Sequence, residues 1–255
     1  GAFGAPELGA TGAALGTAVS TYVGTVMYVV LAVQYAKDAG FLRGLPSRET
    51  LGTILRLSTP TGIQQTFFAG GLTVFMVIVE KIGTSEAAAA NVLINIMLEG
   101  LLPGLGLGLA ATSLVGQALG RKDVADASQW GFDVAKVGML LLLVLGAPMV
   151  LVPETLLGVI IQEPHTIDIG KNALRIVGGA LFIDVGGMIL MNALLGAGDT
   201  KRVAALSIGL QWLFFLPLAY VVGPVLGGGL AAVWALNYVY RSSQSLLFFL
   251  MWRGR

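Results

Sequence analysis

Seven stretches of this 255-residue chain are apolar for about 20 residues or more, enough to cross a hydrocarbon core, and they restrict what it can become. They lie near residues 9–34, 53–79, 87–118, 134–160, 171–197, 203–223 and 227–250. In lipid no water satisfies the backbone, so each stretch must bond to itself as a helix or to neighbours in a closed barrel. The runs are continuous and lack strand alternation, which argues against a barrel. Only 11% of residues are charged and 56% are hydrophobic, against about 25% charged in a soluble domain. The predicted fold class is all-α integral membrane, with about seven transmembrane helices.

Composition removes other classes. The 36 glycines show no G-X-Y period and sit inside the apolar runs, where small residues let helices approach. Zero cysteines exclude disulfides, thiol nucleophiles and iron–sulfur ligation, and a single histidine, His165, leaves little for a histidine metal site. A net charge of +1 gives no basic field for nucleic acid. No catalytic serine elbow, paired acids at metal spacing or aspartate-rich diphosphate motif occurs, so the chain reads as a non-enzyme.

Seven spans place successive loops on alternate sides. Lys37, Arg43, Arg48, Arg56, Arg121, Lys122, Lys136, Lys201, Arg202, Arg253 and Arg255 fall on one side; Lys81, Lys171 and Arg175 fall on the other. The positive-inside bias makes the first side, with the C-terminus, cytoplasmic. Residue 1 is Gly and no signal peptide precedes the first span, so the chain reads as a truncated one. LGATGAAL (8–15) and LGGGLAAV (226–233) open two spans with a shared pattern, as equivalent helices of two parallel repeats would. The predicted organisation is one helix of a preceding lobe (1–35), a cytoplasmic linker (36–52) and a six-helix lobe (53–255). Two lobes around a midplane site is a transporter plan.

Polar side chains inside the spans are the candidate site. Asp184 lies about 20 Å along its helix, near the bilayer middle, and Glu99 is at similar depth in the third stretch. A charge there costs about 2.5–3.5 kcal/mol, so such groups face a bundle interior or a water cavity. Both are candidate proton- or cation-coupling carboxylates; the competing reading is a permanent pair with Arg241 as interhelical glue. Asn91, Asn95 and Glu99 form one stripe at i, i+4, i+8, and Asn237, Arg241 and Gln244 another at i, i+4, i+7. With Gln64, Gln65 and Asn192 these are candidate cavity-lining groups, expected to converge in the bundle interior, although ordinary interhelical hydrogen bonding is the simpler reading of the amides. GLGLG (104–108) lacks the strand and the Lys-Ser/Thr of a phosphate loop and is expected to break the helix after Pro103. His165 in QEPHT is expected in a solvated turn.

LRLSTPTGIQQ (55–65), IGTSEAAAANVLINI (82–96), LPGLGLGLAATSLVGQALGRKD (102–123), LLGAGDTKR (194–202) and the closing YRSSQ…WRGR together resemble the multidrug and toxic compound extrusion (MATE) transporters. The resemblance covers nearly the whole chain and implies the last helix of the first lobe, the linker and the entire second lobe. In that family's sodium-coupled branch an aspartate stands twelve residues before the glycine closing an L-R-G signature; Asp184 matches it, with Gly196 closing L-L-G. The resemblance therefore implies a proton or possible Na+ site at Asp184. Two positions depart: the branch's glutamate eight residues after the proline is Phe68, and its tyrosine four before the aspartate is Ala180. Glu99 with Gln64 or Gln65 is the candidate replacement.

The function so implied is secondary antiport at the inner or plasma membrane. An amphiphilic or cationic compound would leave in exchange for H+ or Na+ by alternating access, with no other cofactor. The expected partners are that substrate, membrane lipid and the missing first lobe, and no nucleic acid. The alternatives are a lipid-linked oligosaccharide flippase of the same superfamily and a non-transporting structural subunit.

Overall fold

The computed structural model describes residues 9–35, 44, 46–159 and 164–254. Most of the expected linker and the Gln162–Glu163 part of QEPHT lie outside the described residues. Two compact units are present, Gly1–Thr53 and Ile54–Arg255. In the first, α1 (Gly9–Tyr35) is apolar on every face and its described side chains are mostly exposed, as suits a helix bathed in lipid or another apolar partner. Its Ser and Thr hydroxyls bond back to carbonyls three or four residues earlier, which removes unsatisfied donors from that face.

The second unit is an antiparallel helical assembly. The long helix α2 (Arg48–Glu80) begins five residues before the predicted span, because Ser47 caps it by accepting from Thr50 N at 3.1 Å. It is followed by α3 (Thr84–Gly120), α4 (Val124–Leu151), the short α5 (Pro153–Gly158) and α6 (Pro164–Gly196). The sixth apolar stretch divides into α7 (Thr200–Gly209), a π-helical segment Leu210–Phe215, α8 (Leu216–Tyr220) and a second π segment Val221–Val225, and the seventh forms α9 (Gly229–Arg253). No strand occurs among the described residues. Among the described residues, six helical segments are long and apolar enough to span a membrane by length and composition. The seventh expected span corresponds to α9, whose Asn237, Arg241 and Gln244 dilute its apolar character.

Three local expectations change. The predicted break at GLGLG does not form: α3 runs unbroken through Pro103 and the glycines. Gly104 and Gly108 are packing positions, since a Cβ at Gly104 would meet Val185 and Met188 and one at Gly108 would meet Asn192. The fourth span starts at Val124, well before 134, where Asp123 accepts from Asp126 N at 2.9 Å and closes the GRKD turn. His165 is exposed, as expected, but belongs to the first turn of α6.

The π segments accompany Pro217 and Pro224. A proline inside a helix lacks the N–H and crowds the carbonyl four residues back. Widening the turn to an i→i+5 bond, as Leu216 N makes to Gln211 O, accommodates that crowding without breaking the rod.

Helix α6 is the central member: 56% of its membrane window is buried, against 22–28% for the windows of α2, α3, α4 and the Thr200–Val225 run. Its glycines allow this. Gly146 of α4 and Gly178 of α6 bring their backbones into contact, and Gly196 packs against the Thr112 backbone of α3. Two apolar cores form along α6. One gathers Phe75, Leu93, Leu174, Phe215 and Trp234, the other Val115, Leu142, Val185, Ile189 and Phe248.

Candidate functional site

A pocket of about 270 Å³ opens among α2, α3, α6, the α7–π region and α9. Its charged groups are Asp184 and Arg241. Arg241 Nη2 donates to Asp184 Oδ2 at 2.5 Å, and the two side chains are only 15% and 13% exposed. Two apolar stretches 57 residues apart thus place opposite charges at the same point of the bundle. The pairing weighed from the sequence is present, and it borders a chamber.

Neutral polar groups surround the pair. Gln64, one turn past Pro60 on α2, donates through Nε2 to Ser207 Oγ at 3.1 Å and to Met191 Sδ at 3.4 Å. Gln65, Gln244, Ser245 and Tyr240 also line the chamber. Gln211 donates to Phe68 O at 3.4 Å and Trp212 Nε1 to Phe67 O at 3.1 Å, which fasten α2 to the π segment and fix that wall. Gly71 permits this approach, because a Cβ there would overlap the Gln211 amide. The remaining lining is apolar and includes Phe68, Met97, Met188, Met191 and Phe248.

Behind the ion pair is a void of about 20 Å³ touched by Asp184, Ala180, Asn237 and Tyr238. Among the described residues, two buried atoms on one face of α9 lack hydrogen-bond partners: Trp234 Nε1 and Arg241 Nε. Each unsatisfied buried group costs about 1–3 kcal/mol, so this face retains hydrogen-bonding capacity.

The expected convergence is only partial. Asp184, Arg241, Gln64 and Gln65 meet at the chamber, and Asn237 reaches the adjoining voids. Asn91, Asn95 and Glu99 do not: all three are exposed on the other face of α3, with Asn95 Nδ2 bonded to Asn91 Oδ1 at 2.9 Å. Their stripe faces away because Leu93, Ile94 and Leu101 take the buried side of the same helix. Glu99 therefore does not join Gln64 or Gln65. Asn192 packs between α3 and α6, donating to Met188 O at 2.9 Å, while Thr112 donates to its carbonyl, also at 2.9 Å. Ser207, Gln211, Tyr240 and Ser245 complete the site and were not singled out from the sequence. The i, i+4 spacing of Ser207 and Gln211 within an apolar run was the available signal.

The profile of the MatE family matches residues 60–221. The chain belongs to the MATE family. Among curated MATE-like relatives, a Thermotoga maritima protein named "Probable multidrug resistance protein NorM" is 29% identical over 98% of this chain and 55% of its own length. The Bacillus subtilis "Uncharacterized transporter YisQ" is 24% identical, covering 100% of this chain and 56% of that protein. The chain thus spans about half the length of the curated relatives it matches. A crystal structure titled MATE in the straight conformation shares the fold with a TM-score of 0.81 and 22% identity, over 91% of this chain and 53% of that one. An inward-facing multidrug resistance MATE transporter of the MOP superfamily gives 0.70 at 23% identity, over 83% and 49%. This MATE protein is a multi-pass membrane protein.

Proposed function

We propose that this chain forms the C-terminal lobe of a plasma-membrane antiporter, C-terminus cytoplasmic, that exports amphiphilic and often cationic compounds in exchange for H+ or Na+. The observation that supports this reading most directly is the Asp184–Arg241 pair at the edge of a 270 Å³ chamber in an all-helical membrane lobe. Methionine and phenylalanine walls re-pack around varied apolar shapes, while Gln64, Gln65 and Gln244 offer uncharged hydrogen bonds. Membership of the MATE family and relatives named for multidrug resistance point the same way.

Coupling is assigned to Asp184. In the conformation described, Arg241 already neutralises it, so a cationic substrate, a sodium ion and Arg241 compete for one carboxylate, and a proton removes the charge they compete for. Stripping one partner from a buried pair costs about 3–5 kcal/mol. Displacement is therefore workable only where the guanidinium finds acceptors, and Gln244 and Tyr238 stand on the same helix. A sodium ion would draw its remaining ligands from neutral oxygens. Glu99, exposed on α3, is proposed as the second coupling carboxylate, reached from outside this chamber. Reorientation between inward- and outward-open states then follows the differential affinity of each state for cargo and ion.

A flippase would need several basic groups around a diphosphate, and among the described residues Arg241 is the one cation lining this chamber. The test is export of a fluorescent cationic dye by cells expressing the complete protein, at two external pH values. Asp184→Asn should abolish the pH-dependent component while the protein still reaches the membrane. Unchanged export would remove Asp184 from the mechanism.

A further inference from the structure

A second concavity lies away from the chamber, between the later half of α2 and the α7–α8 region. It is an open groove of about 400 Å³ whose floor and walls include Val74, Val77, Ile78, Trp212, Leu216 and Pro217. Val74, Val77 and Ile78 follow i, i+3, i+4 spacing, so they form one continuous apolar stripe on α2. Lys81, immediately after α2, closes one end together with Tyr220. Its ammonium sits 5.2 Å from the Tyr220 ring centroid. Among the described residues it has no ion pair, although its neighbour Glu80 is also exposed.

The groove is therefore polarised along the membrane normal. Its apolar length from Val74 to Lys81 is about 10 Å at 1.5 Å per residue, within one leaflet of a core about 30 Å thick. Its mouth has a cation and a tyrosine at the helix end, where Lys and Tyr anchor spans at the headgroups. Trp212 holds one wall rigid through its bond to Phe67 O and its edge contact with the Phe67 ring at 5.5 Å. An acyl chain matches the groove, and an anionic headgroup matches an unpaired lysine at its mouth.

We propose that this groove binds one anionic phospholipid, with an acyl chain along Val74–Ile78 against Trp212 and the headgroup phosphate on Lys81. Tyr220 presents Lys81 toward the headgroup by the cation–π contact, which a bound phosphate can share. The site is separate from the transport chamber and does not depend on what the chamber carries.

The test is native mass spectrometry of the purified protein with added phosphatidylglycerol or phosphatidylcholine of identical chains. Phosphatidylglycerol should be retained in preference, and Lys81→Gln should lower its retention about fivefold, the effect expected of one basic residue at an anionic surface; Lys81→Arg should preserve it. Lys81 is exposed, so the variant should fold, and an unchanged melting temperature verifies this. A version keeping only Trp212, with Trp130, Trp234 and Trp252 replaced by Phe, should be quenched by phosphatidylglycerol brominated in its acyl chains. Equal retention of the two lipids, or anionic retention untouched by Lys81→Gln, or no quenching of Trp212 in a folded variant, would each overturn the proposal.

Discussion

Asp184 and Arg241 hold each other in a setting where neither is cheap to leave alone. Removing one charge leaves the other buried, whereas removing both leaves a polar but uncharged contact. Asp184→Asn and Arg241→Gln should each lower the melting temperature in detergent, Arg241→Gln by the equivalent of about 3 kcal/mol, and the double variant should recover most of that loss. Additive losses would mean that the two side chains do not depend on each other. Both residues were legible in the sequence as charges stranded in apolar runs, and their pairing was one of two readings left open there. What the sequence could not supply was rotation about each helix axis. Asn91, Asn95 and Glu99 share a face, but which face turns inward is set by Leu93 and Leu101 on the other side. Ser207 and Gln211 escaped notice because single small or amide groups in a long apolar run are ordinary.

Among the elements, α4 and α6 meet backbone to backbone at a seam. At Gly146 the obstacle to a side chain is the Gly178 carbonyl, a backbone atom that cannot swing aside. Gly146→Ala should therefore destabilise the lobe by about 1–3 kcal/mol through overpacking. Gly106→Ala, with open space around it, should be neutral or slightly stabilising, since glycine inside a helix costs about 0.5–1 kcal/mol relative to alanine. Thermal melts of the two variants check the contrast; equal losses would mean that the seam is loose. The existence of the long helices was written in apolar run length. Their ends were harder to read, because caps such as Ser47 and Asp123 act through one hydrogen bond each. The GLGLG run misled because glycines that loosen an isolated helix are held straight here by Val185, Met188 and Asn192. The π segments had no sequence signature beyond Pro217 and Pro224.

For the whole molecule, the seven crossings expected from the sequence and the lysine and arginine asymmetry predict an alternation of loops that labelling can test. The chain has no cysteine, so single replacements report without background. Cysteines at Arg121 and Lys201 should react with an impermeant reagent only when the cytoplasmic face is open, and cysteines at Thr84 and Leu226 only from the opposite face. Labelling of Arg121 and Leu226 positions from the same side would change the crossing number. The fold could be read at this scale because lipid permits so few solutions to unsatisfied backbone.

The arginine resting on Asp184 bears on how strictly the proposed carrier can be tied to its fuel. Obligatory exchange requires that an unloaded carrier be forbidden to flip, and the usual barrier is a bare negative charge that must not travel uncovered. Here the polypeptide brings its own cover. If occupancy of that carboxylate is what licenses the flip, the lobe carries a permit that no gradient has to issue, and some turnovers would slip through with nothing moved in return.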